Sequence, residues 1–238
     1  MIRFMLAVTT GVAVGAGSAY AVGVMNREIV PASYVEQAQA PVARVVIGLD
    51  LSASNPLVDD PVFAAKVADR VAGRIRSLGF RSEVHVRTLG NFDASANGFY
   101  YDAVLSIRDR PDDVAAKVRK LIADTPLLVS KGLWHAENRT NILAFLDNVS
   151  QSVGCKAMPT TVILATDGLE DSEYARLKNP SDHLPMPDGR PFAGCAELQM
   201  LGIGQGTRSP IETQRLRGEW SHWAKAAGFQ QFQGLNDW

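Results

Sequence analysis

The chain has 238 residues, of which 46% are hydrophobic and 21% are charged, and its formal net charge is −1. This length and composition are typical of one ordinary globular domain. Proteins that bind nucleic acid usually carry a basic face or stripe. The near-neutral charge therefore argues against a DNA or RNA partner.

The first 21 residues have the three parts of a secretory signal peptide: a short positive start with Arg3, an apolar stretch, and small residues ending at Ala19-Tyr20-Ala21. An uncleaved membrane anchor is the alternative, because apolar and small residues continue to about Met25. Both interpretations predict an exported chain, periplasmic or secreted, that touches a membrane only through this segment if it is uncleaved. We expect residues 22–43 to be a linker, with room for a short edge strand, and residues 44–238 to form the domain.

Apolar runs of strand length alternate with helical patterns from residue 44 onward. The runs predict strands at 43–49, 82–89, 99–107, 160–166 and 196–204, and the helical spacing predicts helices at 61–79, 111–123, 140–153 and 210–227. Asp59 and Asp60 precede Pro61 and are expected to cap the first helix. The strands at 82–89 and 99–107 are too close for a helical crossover, so we expect them to be antiparallel. The pattern predicts an α/β fold, doubly wound and Rossmann-like, with a mostly parallel sheet, one antiparallel strand and helices on both faces.

Cys155 and Cys195 are the two cysteines of the chain. An even pair in an exported protein favours a disulfide, and two buried free thiols are the alternative. Both cysteines come just before predicted strands that are expected to be parallel neighbours. We therefore expect the bond at the amino edge of the sheet, opposite the edge where α/β proteins bind ligands.

Carboxylates and hydroxyls follow two of the buried strands. Asp50 ends the first strand, with Ser52 and Ser54 at alternate positions after it, and Asp167 ends the fourth strand. Two nearby carboxylates repel each other unless a cation or a shared proton relieves them. Neutral hydroxyl oxygens beside them suit Mg²⁺ or Mn²⁺. Thr140, at the start of a predicted helix, offers one more hydroxyl.

The segments "DLSAS", "TNILAFL" and "ATDG", in this order and at strand ends or helix starts, resemble the three loops of the metal-ion-dependent adhesion site in von Willebrand factor type A domains. The resemblance covers residues 44–238. It implies that Asp50, Ser52 and Ser54 form the first loop, Thr140 the second and Asp167 the third. It also implies a binding module, not an enzyme, in which Mg²⁺ or Mn²⁺ recruits an acidic residue of a protein partner.

Two other functions stay open at this point. An Asp after the first strand and a later Asp also mark haloacid-dehalogenase-like phosphatases, but the second carboxylate of that family would fall on Ser52. A degenerate copy that binds no metal is the third possibility, because Arg139 stands where the adhesion-site family commonly has a small residue. The glycines of "GIGQG" at 202–206 lack dinucleotide-binding spacing, and we expect them to form a tight turn beside the ion site.

Overall fold

The computed structural model describes residues 20–22, 29–31, 39–89, 99–207 and 209–238. The predicted signal peptide lies almost entirely outside the described residues. Two short strands, β1 (Tyr20–Val22) and β2 (Ile29–Pro31), pair antiparallel within the segment predicted as the end of the leader and the linker. In the described part of the chain, no helix is both long enough and apolar enough to cross a membrane.

The domain alternates strands and helices, as predicted. It runs in the order β3 (Arg44–Asp50), α1 (Pro61–Arg76), β4 (Glu83–Leu89), β5 (Tyr100–Val104), α2 (Pro111–Ala123), α3 (Thr125–Ser130), α4 (Ile142–Ser152), β6 (Thr160–Ala165), β7 (Glu197–Leu201), α5 (Pro210–Ala227) and β8 (Gln231–Leu235). A 3₁₀ turn at Pro56–Val58 precedes α1. The predicted cap is confirmed at Asp60, whose carboxylate accepts hydrogen bonds from the Val62 and Phe63 amides.

The six strands of the domain form one sheet in the order β5-β4-β3-β6-β7-β8. All neighbouring pairs are parallel except β4 and β5, which are antiparallel. The predicted fold class is therefore confirmed, including the single antiparallel strand. The chain builds the sheet outward from β3 in one direction and from β6 in the other, so the topological switch point lies between these two strands.

Helices cover both faces of the sheet because the side chains of the central strands alternate between two apolar layers. Val45, Ile47 and Leu49 of β3 face α1 and α2, while Val46 faces the layer that contains α4 and α5. Both layers are fully buried, which explains why β3 and β6 read as continuous apolar runs.

The disulfide between Cys155 and Cys195 closes the amino edge of the sheet, with a Cα–Cα distance of 4.9 Å. This confirms both the predicted pairing and its predicted location, just before β6 and β7. Arg44 lies at the same edge and donates to the carbonyls of Val153 and Gly154 at the end of α4. A disulfide indicates an oxidising environment, which supports export.

Candidate metal centre

The predicted ligands lie at the carboxyl edge of the sheet, beside the switch point. Leu49 pairs with Ala165, so β3 and β6 end side by side, with Asp50 as the last residue of β3 and Asp167 two residues beyond β6. The side-chain NH₂ group of Asn55 donates to the backbone carbonyls of Asp50 (2.8 Å) and Ala165 (3.0 Å) and ties the two strand ends together. Ligands of doubly wound sheets bind at such a point.

Asp50 is fully buried at this junction. One carboxylate oxygen accepts the Ser52 amide (2.8 Å), and the other accepts the Thr166 hydroxyl (2.6 Å). Burial, and then the nearby charge of Asp167, raise the pKa of Asp50 to about 7, against the opposing effect of these hydrogen bonds. At neutral pH the carboxyl group is therefore poised between its protonated and charged forms.

The two serines of the first loop come round to the same side, as their alternate spacing predicts. The Oγ atoms of Ser52 and Ser54 are 3.4 Å apart. Ser52 is buried whereas Ser54 is exposed. The first loop therefore offers one buried hydroxyl, from Ser52, and one exposed hydroxyl, from Ser54.

Asp167 has the unusual feature of the site. Its Oδ1 accepts the Leu169 amide (2.9 Å), but its Oδ2 is buried and has no hydrogen-bond partner among the described residues. Burial raises the pKa of Asp167, and the hydrogen bond from the Leu169 amide opposes that rise. Buried polar atoms without partners are rare, and a bound water or ion is one explanation of such an atom.

The loop 202–206 closes over Asp167, which confirms the predicted tight turn beside the strand end. The Gly204 amide donates to the carbonyl of Asp167 (2.7 Å), and Gly202 and Gly204 both adopt positive φ angles, of 108° and 77°. A Cβ on Gly206 would lie 2.5 Å from Asp167 Oδ2. Only glycine fits there without displacing the carboxylate.

The second loop lies between the first and the third. Backbone bridges pair Glu137 with Ser52 and Thr140 with Asp171, so the segment 137–140 bridges the other two loops. Thr140 is 3% exposed, and its carbonyl accepts the Asp171 amide (2.9 Å). Arg139 is exposed.

A third buried carboxylate, Glu170, connects the third loop to α4. Its Oε2 accepts the amides of Ile142 (2.8 Å) and Leu143 (3.2 Å), and its Oε1 accepts the Ser172 hydroxyl. Glu170 is fully buried, and this burial raises its pKa to about 7. The three hydrogen bonds act in the opposite direction.

The sequence predicted the five candidate ligands but missed the residues that organise them. Thr166 was a detectable candidate, because it is a hydroxyl residue directly before Asp167 at the end of the strand predicted at 160–166. Nothing in the local pattern of "DGLED" distinguishes Glu170 from a solvated loop residue. Among the described residues no three His, Cys, Asp or Glu side chains cluster as a metal site, so any metal here would depend on the hydroxyl ligands.

Fold and site together define a doubly wound α/β protein with two buried aspartates at the topological switch point. No protein-family model matches the chain, and no curated protein sequence matches it. Its fold is similar to that of proximal thread matrix protein 1 from the mussel byssus, at 14% identity and a TM-score of 0.43 over 83% of this chain. It is also similar to the human COPII-coat protein Sec24c, at 11% identity and a TM-score of 0.40 over 84% of this chain.

These likenesses carry no functional information. The chain covers 45% of the mussel protein and 30% of Sec24c. Both TM-scores are below 0.5, so neither structure defines a family for this chain. The function of this chain is therefore inferred from the site alone.

Proposed function

We propose that this protein is a metal-dependent protein-binding module of the cell envelope or extracellular space. Asp50, Ser52, Ser54, Thr140 and Asp167 would hold one Mg²⁺ or Mn²⁺ ion. The observation that carries the proposal is the buried Oδ2 of Asp167, which has no hydrogen-bond partner in the described part of the chain and lies near the buried carboxylate of Asp50. A divalent cation would give that oxygen a partner and would relieve the repulsion between the two charges.

The composition of the ligand set favours protein recognition over catalysis. The negative charges of two carboxylates equal the formal charge of a divalent ion, and the three hydroxyls add no further negative charge. Such an ion remains a good acceptor for one more anionic oxygen, and an acidic side chain of a partner would supply it. The position two residues after Asp50 holds Ser52, so the phosphatase alternative lacks the carboxylate that it needs for proton transfer.

The disulfide supports a location outside the reducing cytoplasm. We propose a periplasmic or secreted protein, with the N-terminal segment as a signal peptide or, if uncleaved, an anchor. Residues 44–238 would then act as a von Willebrand factor type A-like domain.

Metal binding is tested by titrating Mn²⁺ into the mature protein and into two variants that each lose one acidic charge. Asp167→Asn removes a proposed ligand. Asp171→Asn, four residues further on, is the matched control, because its carboxylate pairs with Arg176 and Lys178. We expect binding by the wild type and the control but not by Asp167→Asn. If the wild type does not bind Mn²⁺ but Arg139→Ser does, the site is degenerate. If neither protein binds Mn²⁺, the metal proposal is rejected.

Partner binding is tested by affinity capture from an envelope extract, with Mg²⁺ or with a chelator. A partner retained by the wild type and by Asp171→Asn should be lost with the chelator and with Asp167→Asn. Capture that persists in the chelator would show that the ion does not mediate binding. Hydrolysis of an aryl phosphate, abolished by Asp50→Asn, would favour the phosphatase instead.

A further inference from the structure

We infer that Glu170 is a positioning residue of the proposed metal centre, holding the second loop, and with it Thr140, against the third loop that carries Asp167. The inference rests on the proposed function, because it concerns the same ligands. Glu170 is not a ligand in this scheme. It acts through the backbone of the helix that begins directly after Thr140.

The hydrogen bonds of Glu170 join two parts of the chain that are far apart in sequence. Its Oε2 accepts the Ile142 and Leu143 amides, which are 28 and 27 residues away. These amides belong to the first turn of α4, where backbone donors have no partner within the helix. The connection continues through the Asp171 amide, which donates to the carbonyl of Thr140 (2.9 Å). The two contacts hold the backbone at the Thr140 carbonyl and at the first turn of α4, two residues further on.

The position of Glu170 is itself fixed. The Ser172 hydroxyl donates to its other oxygen and in turn accepts the amides of Tyr174 and Ala175. The Leu177 amide donates to the Glu170 carbonyl (2.9 Å). A fully buried side chain with both oxygens engaged cannot swing away, so any displacement of the third loop must displace the start of α4 as well.

Ordinary helix capping does not account for this arrangement. Asn141 already caps α4 from within the local sequence, since its side chain accepts the Ala144 amide (3.0 Å). Exposed Asp60 shows the local solution for α1, where it accepts two first-turn amides from directly before the helix. At α4 the acceptor of the Ile142 and Leu143 amides comes from the third loop, in addition to the local cap and at the cost of burying a carboxylate. The gain is a fixed distance between two ligand loops.

The test compares Mn²⁺ affinity with thermal stability in the mature protein. Glu170→Ala leaves two helix amides without their acceptor. Residues that orient metal ligands commonly change affinity by 10–100-fold when replaced, so we expect Mn²⁺ binding to weaken about tenfold. Glu170→Gln keeps an oxygen for the amides and an amide group for the Ser172 hydroxyl, and should remain within about twofold of the wild type. Asp60→Ala removes a two-amide cap elsewhere and should lower the melting temperature while leaving affinity unchanged.

Three results would overturn the inference: wild-type affinity in Glu170→Ala, a loss in Glu170→Gln equal to that in Glu170→Ala, or an equal loss in Asp60→Ala. If Glu170→Ala does not fold, Ser172→Ala takes its place, because it frees one oxygen of Glu170 and should weaken Mn²⁺ binding in the same direction by a smaller factor. Unchanged affinity in Ser172→Ala would then reject the role. A wild type that binds no Mn²⁺ is a different result, since it rejects the proposed function and removes the basis of this inference with it.

Discussion

Replacing Asp50 by Asn should make the metal-free protein more stable at alkaline pH while removing its response to metal. The raised pKa of Asp50, from 3.8 to about 7, means that ionising this carboxyl opposes folding. At pH 8 this shift corresponds to about 4 kcal/mol. Asn cannot ionise, keeps an oxygen for the Ser52 amide, and can donate to the Thr166 hydroxyl. One hydrogen bond from that hydroxyl is lost, at a cost of about 1 kcal/mol.

The net gain is therefore about 3 kcal/mol at pH 8, or roughly 6–12 °C in melting temperature for a domain of this size. The sign depends on pH. The folded-state pKa lies above the unfolded value, so the folded wild type holds an extra proton between about pH 4 and pH 7, and its stability falls as pH rises through that window. At pH 5 the folded wild-type carboxyl is protonated and little more than a third of this loss has occurred, so the net advantage of Asn should fall below about 1 kcal/mol.

Urea or thermal denaturation in chelator at pH 5 and pH 8 measures this difference. Saturating Mn²⁺ should then stabilise the wild type, by about 2.7 kcal/mol at one hundred times its dissociation constant, and leave Asp50→Asn unchanged. Asp171→Asn serves again as the control for loss of charge. If Asp50→Asn is less stable than the wild type at pH 8 in chelator, the buried aspartates do not oppose folding, and the main physical argument for the cation is wrong.

Three further predictions concern the surroundings of the site. The folded-state pKa of Glu170 is raised to about 7, so the free energy of unfolding of the wild type should fall as pH rises from about 4.5 to 7. The fall should be up to about 3 kcal/mol larger than that of Glu170→Gln. Parallel curves of the two proteins from urea denaturation would contradict this. Replacing both Cys155 and Cys195 by Ser opens a link across 40 residues and should cost about 4 kcal/mol. Mn²⁺ affinity should stay the same, because the bond lies at the opposite edge of the sheet, and a loss of affinity in the folded variant would count against that separation. Gly206→Ala should cost about 1–3 kcal/mol and abolish Mn²⁺ binding, because its Cβ would meet Asp167 Oδ2. Gly73→Ala should instead stabilise α1 by about 0.5–1 kcal/mol, because no described atom outside the local helix backbone lies within 4 Å of the added Cβ. Equal behaviour of the two variants in denaturation and titration would refute the close approach.

The central strands were predictable because burial on both faces leaves a direct mark on the sequence. The continuous apolar runs of β3 and β6 place them in the middle of a parallel sheet. Other elements leave weaker marks. Helix α3 was missed, since its six residues, with Pro126 in the first turn, are too short to show a period. Strand β5 is shorter than the predicted 99–107, because the Ser106 hydroxyl accepts the Arg108 and Asp109 amides and turns the chain.

The candidate ligands could be predicted for a similar reason, whereas the residues that hold the ligand loops in place could not. Asp50 and Asp167 interrupt apolar runs at strand ends, which is a local and visible signal. The burial of Glu170 arises from α4 packing against the third loop, and no spacing near Glu170 reports that contact. Candidate ligands at strand ends can be predicted from the local sequence pattern. Residues that connect loops far apart in the sequence can be recognised only in the folded structure.

The bond from the Thr166 hydroxyl to Asp50 joins residues 116 apart in the sequence. By contrast, the β4–β5 hairpin closes over short range, as in the contact of His85 with Asp102 across 17 residues. Longer closures cost more chain entropy, so the β3–β6 junction is expected to form late in folding. If the junction forms only after the rate-limiting step, an ion bound there acts on the unfolding rate alone. Such an ion would slow unfolding without speeding refolding, and so would increase the kinetic stability of the folded domain. Stopped-flow measurements of both rates with and without Mn²⁺ test this expectation.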